Sequence, residues 1–156
     1  MRHVVDRRPR IPHGGDPHRG GVGGLRREDD GLARPILVGR HEVVRRRIER
    51  LGLRLRLGEQ VDLVDPEHDD RFHAYWNEYH RIMERRGVTP TLARTVVRTN
   101  TTVIAALMLH RGEADAAIAG AVGSYQDHLK HAVDIIGLQP GVTLPAALNA
   151  LLVPRG

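Results

Sequence analysis

The sequence predicts an α/β fold with a mostly parallel sheet, and three observations point there. Short apolar runs at 35–38 (PILV), 60–64 (QVDLV) and 114–119 (ADAAIA) alternate with longer segments of helical period, the pattern of βαβ units. Glycine or proline stands at most helix boundaries, where each is tolerated best. The stretch 111–136, RGEADAAIAGAVGSYQDHLKHAVDII, reads as strand, glycine turn and helix. That unit is how open α/β sheets build anion sites, because the first N–H groups of the helix have no intrahelical partner.

The elements follow in chain order. Residues 1–28 are rich in Gly, Pro, Arg and His and show no sustained period. Such a segment buries too little apolar area to offset its ordering entropy, about 1–2 kcal/mol per residue, so 1–30 is expected to be disordered or non-native and 31–156 to be the folded domain. A strand is predicted at 35–38, ending at Gly39. A helix follows over 41–51, with Val43, Val44, Ile48 and Leu51 on one side and Gly52 as its cap. The arginines at 45–47 and 50 are expected to face solvent. A strand at 60–64 closes on Asp65-Pro66, and 65–70 forms an acidic loop, a weak metal candidate because Pro66 interrupts it and no glycine sits where a calcium loop needs one.

The segment 71–86 carries Phe72, Tyr75, Trp76, Tyr79, Ile82 and Met83 at spacings of three and four, a core-facing helix. Thr89-Pro90 opens the next helix, TNTT at 99–102 breaks it, and 103–111 (VIAALMLHR) resumes as a buried helix capped by Gly112. Residues 114–119 are expected to be a buried parallel strand. Gly120 and Gly123 bracket a tight turn, Ser124 caps the following helix, and Asp127 stands where a capping box has its acid. Residues 137–141 are a loop, and 148–153 (LNALLV) reads as a further strand.

Bulk properties narrow the function classes. No apolar run is long enough to cross a membrane, and no apolar region follows the N-terminal arginines as in a signal peptide. Cysteine is absent, which excludes disulfides and thiolate metal sites and fits a cytoplasmic protein. The net charge of +5 divides unevenly: residues 1–56 hold 15 Arg and 7 acids, and the remainder holds 9 basic and 12 acidic residues. Lys130 is the single lysine among 24 basic residues, as a GC-rich coding sequence would produce. The N-terminal arginines leave a basic nucleic-acid binder as one reading, but no aromatic residue is interleaved for base stacking. No dinucleotide fingerprint follows a strand and no P-loop occurs.

The run from Trp76 to Gly141, WNEYHRIMERRGVTPTLARTVVRTNTTVIAALMLHRGEADAAIAGAVGSYQDHLKHAVDIIGLQPG, with ARPILVGR at 33–40 and ERLGLRLRLGEQVDLVDPEHDDR at 49–71, resembles the phosphate acetyl/butyryl transferase family. Within it the likeness is to the phosphotransacetylase-like domain of bacterial NADP-dependent malic enzymes, and it covers 31–156. The resemblance implies a partial three-layer sandwich, the first subdomain of the phosphotransacetylase (isocitrate-dehydrogenase-like) fold, with a cleft between two subdomains. It implies acetyl transfer between coenzyme A and phosphate or, alternatively, an acetyl-CoA-responsive regulatory and oligomerising module. Coenzyme A or acetyl-CoA is thus the expected substrate or effector, without a covalently bound cofactor, and the full-length protein is expected to be a homo-oligomer. The family's catalytic serine, arginine and aspartate fall beyond the matched half, so no catalytic residue is assigned and the piece is expected to be inactive alone. Residues 1–28 do not match the family's opening strand and helix, which a shifted reading frame or a miscalled start explains.

Carried onto this chain, the resemblance makes Gly120, Gly123, Ser124 and Lys130 the candidate substrate-binding residues. The family usually has arginine where Lys130 stands, and lysine keeps the charge without the bidentate fork. A surface ion pair of Lys130 with Asp127 or Asp134 is the competing reading. His128 and His131 have a spacing that can chelate a metal, but no partner at a recognised spacing supports it, and both are expected to be solvent-exposed.

Overall fold

The computed structural model describes residues 3–7, 34–120 and 122–146. The elements are β1 (His3–Arg7), β2 (Arg34–Val38), α1 (His41–Arg50), β3 (Asp62–Val64), α2 (Phe72–Met83) with a 3-10 turn at Glu84–Arg86, α3 (Pro90–Thr99), α4 (Thr101–His110), β4 (Ala116–Ile118) and α5 (Tyr125–Ile136). The chain is α/β, as its alternating pattern predicts. The strand expected over 148–153 lies outside the described residues.

The sheet has the order β3-β2-β1-β4. β2 pairs with β3 in parallel, Leu37 opposite Leu63 and Val38 opposite Val64. β1 pairs antiparallel with both β2 and β4, so β2, β3 and β4 share one direction and β1 opposes them. Two expectations change here. His3–Arg7 belongs to the segment read as non-folding, yet it forms a strand between β2 and β4. Two flanking strands supply its backbone partners, and hydrogen bonds from elsewhere in the chain leave no local period to read. The buried parallel strand expected over 114–119 is three residues long, pairs antiparallel with β1, and exposes Ile118 at 68%. Apolar composition shows that a strand can be covered, not that something covers it.

α4 is the core. Residues 102–108 are all buried, with Val103, Leu107 and Met108 at 0% exposure. A helix apolar on every side must be enclosed on every side, and α2, α3, α5 and the sheet enclose it. Tyr75, Trp76, Tyr79 and Met83 of α2, Ala93 and Val97 of α3 and Ile135 of α5 complete the cluster. Each fully buried large apolar side chain contributes about 1.5–3 kcal/mol. The aromatic stripe of α2 therefore packs as the periodicity predicts. Its edge is covered by arginines: Arg94 stacks on Trp76 at 4.2 Å and Arg98 on Phe72 at 5.2 Å.

The caps fix where helices start. Pro90 stands at the beginning of α3, and Thr89 Oγ1 accepts from Leu92 N at 3.3 Å. Ser124 Oγ accepts from Asp127 N at 3.1 Å, the cap expected for α5. Among the described residues no helix is long and apolar enough to cross a membrane.

Candidate functional site

The TNTT segment breaks the helix through one residue. Asn100 is extended (φ −121°, ψ 101°) and serves as both the end of α3 and the cap of α4. Its Oδ1 accepts from Thr102 N at 3.0 Å and Val103 N at 3.3 Å. This bend turns Arg98, Thr99, Asn100 and Thr101 toward a cleft of about 530 Å³. Gly39 and Arg40 after β2, Pro66 after β3, and Val122 and Gly123 after β4 line its other side. All three lie beyond strand carboxyl ends, where open α/β sheets bind ligands.

Three arginines line the cleft. Arg47 of α1 lines it and makes no ion pair among the described residues, Arg40 is paired to Glu67 at 3.3 Å, and Arg98 is held over Phe72. Asp127 is its one acidic lining residue. Thr101 also lines it, and its buried Oγ1 is the one buried side-chain polar atom without a hydrogen-bond partner among the described residues. A buried hydroxyl left unpaired costs about 1–3 kcal/mol, so its persistence in a cleft asks for an explanation. The start of α5 borders the same space. Ser124 occupies Asp127 N, while helix geometry leaves the N–H groups of Tyr125 and Gln126 without intrahelical partners.

The four predicted residues fall in different places. Gly123 lines the cleft. Its φ of 99° and the φ of 141° at Gly120 lie in the region that favours glycine, so the tight turn needs both. Ser124 is the helix cap beside the cleft. Lys130 lies one helix face away, with Nζ 2.7 Å from Asp134 Oδ2. Asp134 also takes Arg86; burial, the largest single effect, raises its carboxyl, but the hydrogen bonds and charges of Lys130 and Arg86 together outweigh it and hold the group below the usual carboxylate range. The ion pair with Asp134, one of the two readings of Lys130, is therefore formed.

The expectation that His128 and His131 are solvent-exposed is corrected. Both are partly buried in the seam between α5 and α4. His128 Nδ1 lies 2.9 Å from Thr102 Oγ1 and its Nε2 lies 2.9 Å from the Val122 carbonyl oxygen. His131 Nε2 lies 2.9 Å from Asn100 Nδ2. Burial pushes the His131 imidazole below its ordinary pKa, and the charge of Lys130 adds to that. The spacing of three that suggested a chelate instead lets both rings reach the first turn of α4. The partner that reading lacked, the TNTT segment, lies about thirty residues upstream, and only the fold brings it near.

The acidic loop has a structural use. Asp65 Oδ2 accepts from His41 N at 2.9 Å and Oδ1 from Glu67 N at 2.9 Å. Burial opposes its ionisation, but these backbone N–H donors hold its carboxyl low. It thereby joins the β3 loop to the start of α1. Asp65, Glu67 and His68 have ligand atoms within 4.8 Å of one another, a cluster whose Asp65 is already engaged by backbone N–H groups.

Fold and cleft together define an α/β domain with a convergence of arginine, amide and hydroxyl groups beyond its strand ends. Comparison with known proteins gives it a family. The model of the phosphate acetyl/butaryl transferase family matches residues 26–156, and the chain belongs to that family. It is 48% identical over 126 residues to the NADP-dependent malic enzyme of Haemophilus influenzae, covering 81% of this chain and 17% of that protein. The NADP-dependent malic enzyme of Escherichia coli is likewise 48% identical over 126 residues, with the same 81% and 17% coverage. The phosphate acetyltransferase of Synechocystis is 29% identical over 118 residues, 76% of this chain and 17% of that protein. The chain thus spans 17% of the length of these curated relatives.

Proposed function

We propose that this chain is the first subdomain of a phosphate acetyl/butyryl transferase-type domain, and that its cleft binds the phosphate-bearing part of an acyl-transfer ligand, coenzyme A or acetyl-CoA, or phosphate itself. The observation that carries this is that Thr101, whose buried hydroxyl has no partner among the described residues, lines a cleft shared by Arg47, Arg98 and the start of α5. Arginine and unpaired helix N–H groups suit a phosphoryl group, and a phosphate oxygen on Thr101 would complete its hydrogen bonding. Gly123 and Ser124 support the reading by letting backbone come close to the ligand. Lys130 contributes positive potential from the next face, through a contact with Asp134 that ligand can exchange. In the complete family domain the reaction is acetyl-CoA plus phosphate giving coenzyme A and acetyl phosphate, and the reacting groups belong to the second subdomain.

A second reading is favoured by the 48% identity to malic enzymes: an acetyl-CoA-responsive regulatory and oligomerising module that binds the same ligand without turnover. Calorimetric titration with acetyl-CoA, coenzyme A and inorganic phosphate, beside an acetyl phosphate assay, tests both. Binding without turnover fits both readings of the cleft, turnover by this chain favours the transferase over the module and would place reacting groups within it, and no binding of any of the three overturns the cleft assignment.

A further inference from the structure

We propose that His131 is a positioning residue of the cleft: as a neutral imidazole it accepts a hydrogen bond from Asn100 and holds α5 against the start of α4, and its protonation releases that contact. The part concerning ligand affinity rests on the reading above; the part concerning the proton does not.

The assignment follows from counting donors. Asn100 has one carbonyl oxygen and one NH2. Its Oδ1 faces two backbone N–H groups, those of Thr102 at 3.0 Å and Val103 at 3.3 Å. Both are donors, so the atom facing them is the oxygen. The NH2 is then the group 2.9 Å from His131 Nε2. Two donors cannot share that contact, so Nε2 offers its lone pair and the ring proton sits on Nδ1. Turning the carboxamide over would restore a match to protonated His131, but would aim the NH2 at the two backbone N–H groups and uncap α4. The contact therefore accommodates one protonation state.

The second histidine of the seam fixes the turn. The Val122 carbonyl oxygen 2.9 Å from His128 Nε2 only accepts, so that nitrogen carries a proton. His128 thus ties the glycine turn to α5, and His131 ties α5 to the α3–α4 bend. Both rings line the cleft together with Gly123 and Asn100. On its own helix Lys130 and His128 oppose protonation of His131 while Asp134, paired to Arg86, and Asp127 favour it; Arg47, Arg98 and Arg40, the last paired to Glu67, line the same cleft from other elements. The two cationic and two acidic groups of the helix oppose one another, and burial is the largest effect and favours the neutral ring.

The test is a 15N-histidine-labelled full chain, followed by long-range 1H–15N spectra from about pH 5 to 8, the range in which imidazole titrates. An unprotonated His131 Nε2 at neutral pH, titrating below 6.5, is expected; a protonated Nε2 overturns the proposal. N100D keeps a capping oxygen but turns the facing donor into an acceptor, so His131 should move its proton to Nε2 and titrate higher than in the wild type. An unchanged titration overturns the proposal too. Titration with acetyl-CoA and inorganic phosphate adds the functional arm. H131L should bind about tenfold more weakly, the worth of one hydrogen bond, and H131Q, whose side-chain oxygen can accept from Asn100, should recover most of that. Wild-type affinity in a folded H131L removes the positioning role. If the wild type binds neither probe, the ligand reading falls, and the spectra of wild type and N100D decide the protonation assignment without it. Should H131L fail to fold, H131Q and N100D decide it in the same way.

Discussion

Tyr75 Oη donates to Glu113 Oε2 at 2.6 Å, joining the first turn of α2 to the turn before β4. Arg71 and Arg111 stack on the same ring at 5.9 and 5.6 Å and both approach the same carboxylate. Burial first, and then the hydrogen bond to Glu113, push the Tyr75 hydroxyl well above its ordinary value of 10.0. A raised folded-state pKa gives stability that is complete below the unfolded value and is lost as pH rises through the folded one. Y75F should cost about 1 kcal/mol at neutral pH. In urea titrations the gap to wild type should shrink once pH passes 10.0; a gap independent of pH would mean the hydroxyl is not held this way.

Asp134 gathers Lys130 and Arg86, and its carboxyl is held below the usual 3.8. A depressed folded-state pKa gives stability that is present above 3.8 and is lost as pH falls through the lower value. D134N should be less stable than wild type by about 1 kcal/mol at pH 7. Its stability should also fall less steeply on acidification below 3.8. Parallel denaturation curves for the two proteins at neutral and acid pH check both statements.

Thr101→Val separates binding from stability. Removing a buried hydroxyl that lacks a partner should raise stability by up to about 1 kcal/mol. The same change should weaken phosphate or acetyl-CoA binding by about tenfold if Thr101 donates to the ligand. A variant that loses stability would show that the hydroxyl is already satisfied.

Leu107 is at 0% exposure in α4, whereas Leu144 is at 77%. L107A should cost about 2–5 kcal/mol by cavity formation, and L144A should stay within about 0.5 kcal/mol of wild type. Thermal melts of the two variants measure how far α4 carries the fold.

Gly120 has φ 141° and nothing within 4 Å of where a Cβ would stand. G120A is therefore strained by backbone conformation alone, at about 1–3 kcal/mol. Chemical denaturation should show that loss, and a neutral effect would mean the turn relaxes.

The helices were legible because their signals are local. The stripe of Tyr75, Trp76, Tyr79 and Met83 marks the buried face of α2, Pro90 marks the start of α3, and Ser124 caps α5, all within a few residues of the structure they form. The glycine turn was legible for the same reason. β1 was not, because His3–Arg7 is a strand only through its partners Arg34–Val38 and Ala116–Ile118. The exposure of β4 was not legible either, since nothing in ADAAIA says which face is covered. The cleft was half visible. Gly123 and Ser124 announce themselves, but Arg98 and Thr101 read as parts of a helix and its break until the chain folds them into one cleft with the start of α5.

By itself the sequence determined the α/β class, the family, and the place where the strand-turn-helix unit bends. Those follow from periodicity, capping and glycine, which act over one or two helical turns. Only the tertiary structure decided that Asn100 meets His131, that Lys130 meets Asp134, and that Thr101 lines one cleft with Arg47 and Arg98. Each of these joins groups through space, and a donor, an acceptor or a charge acquires its state from whatever packs beside it.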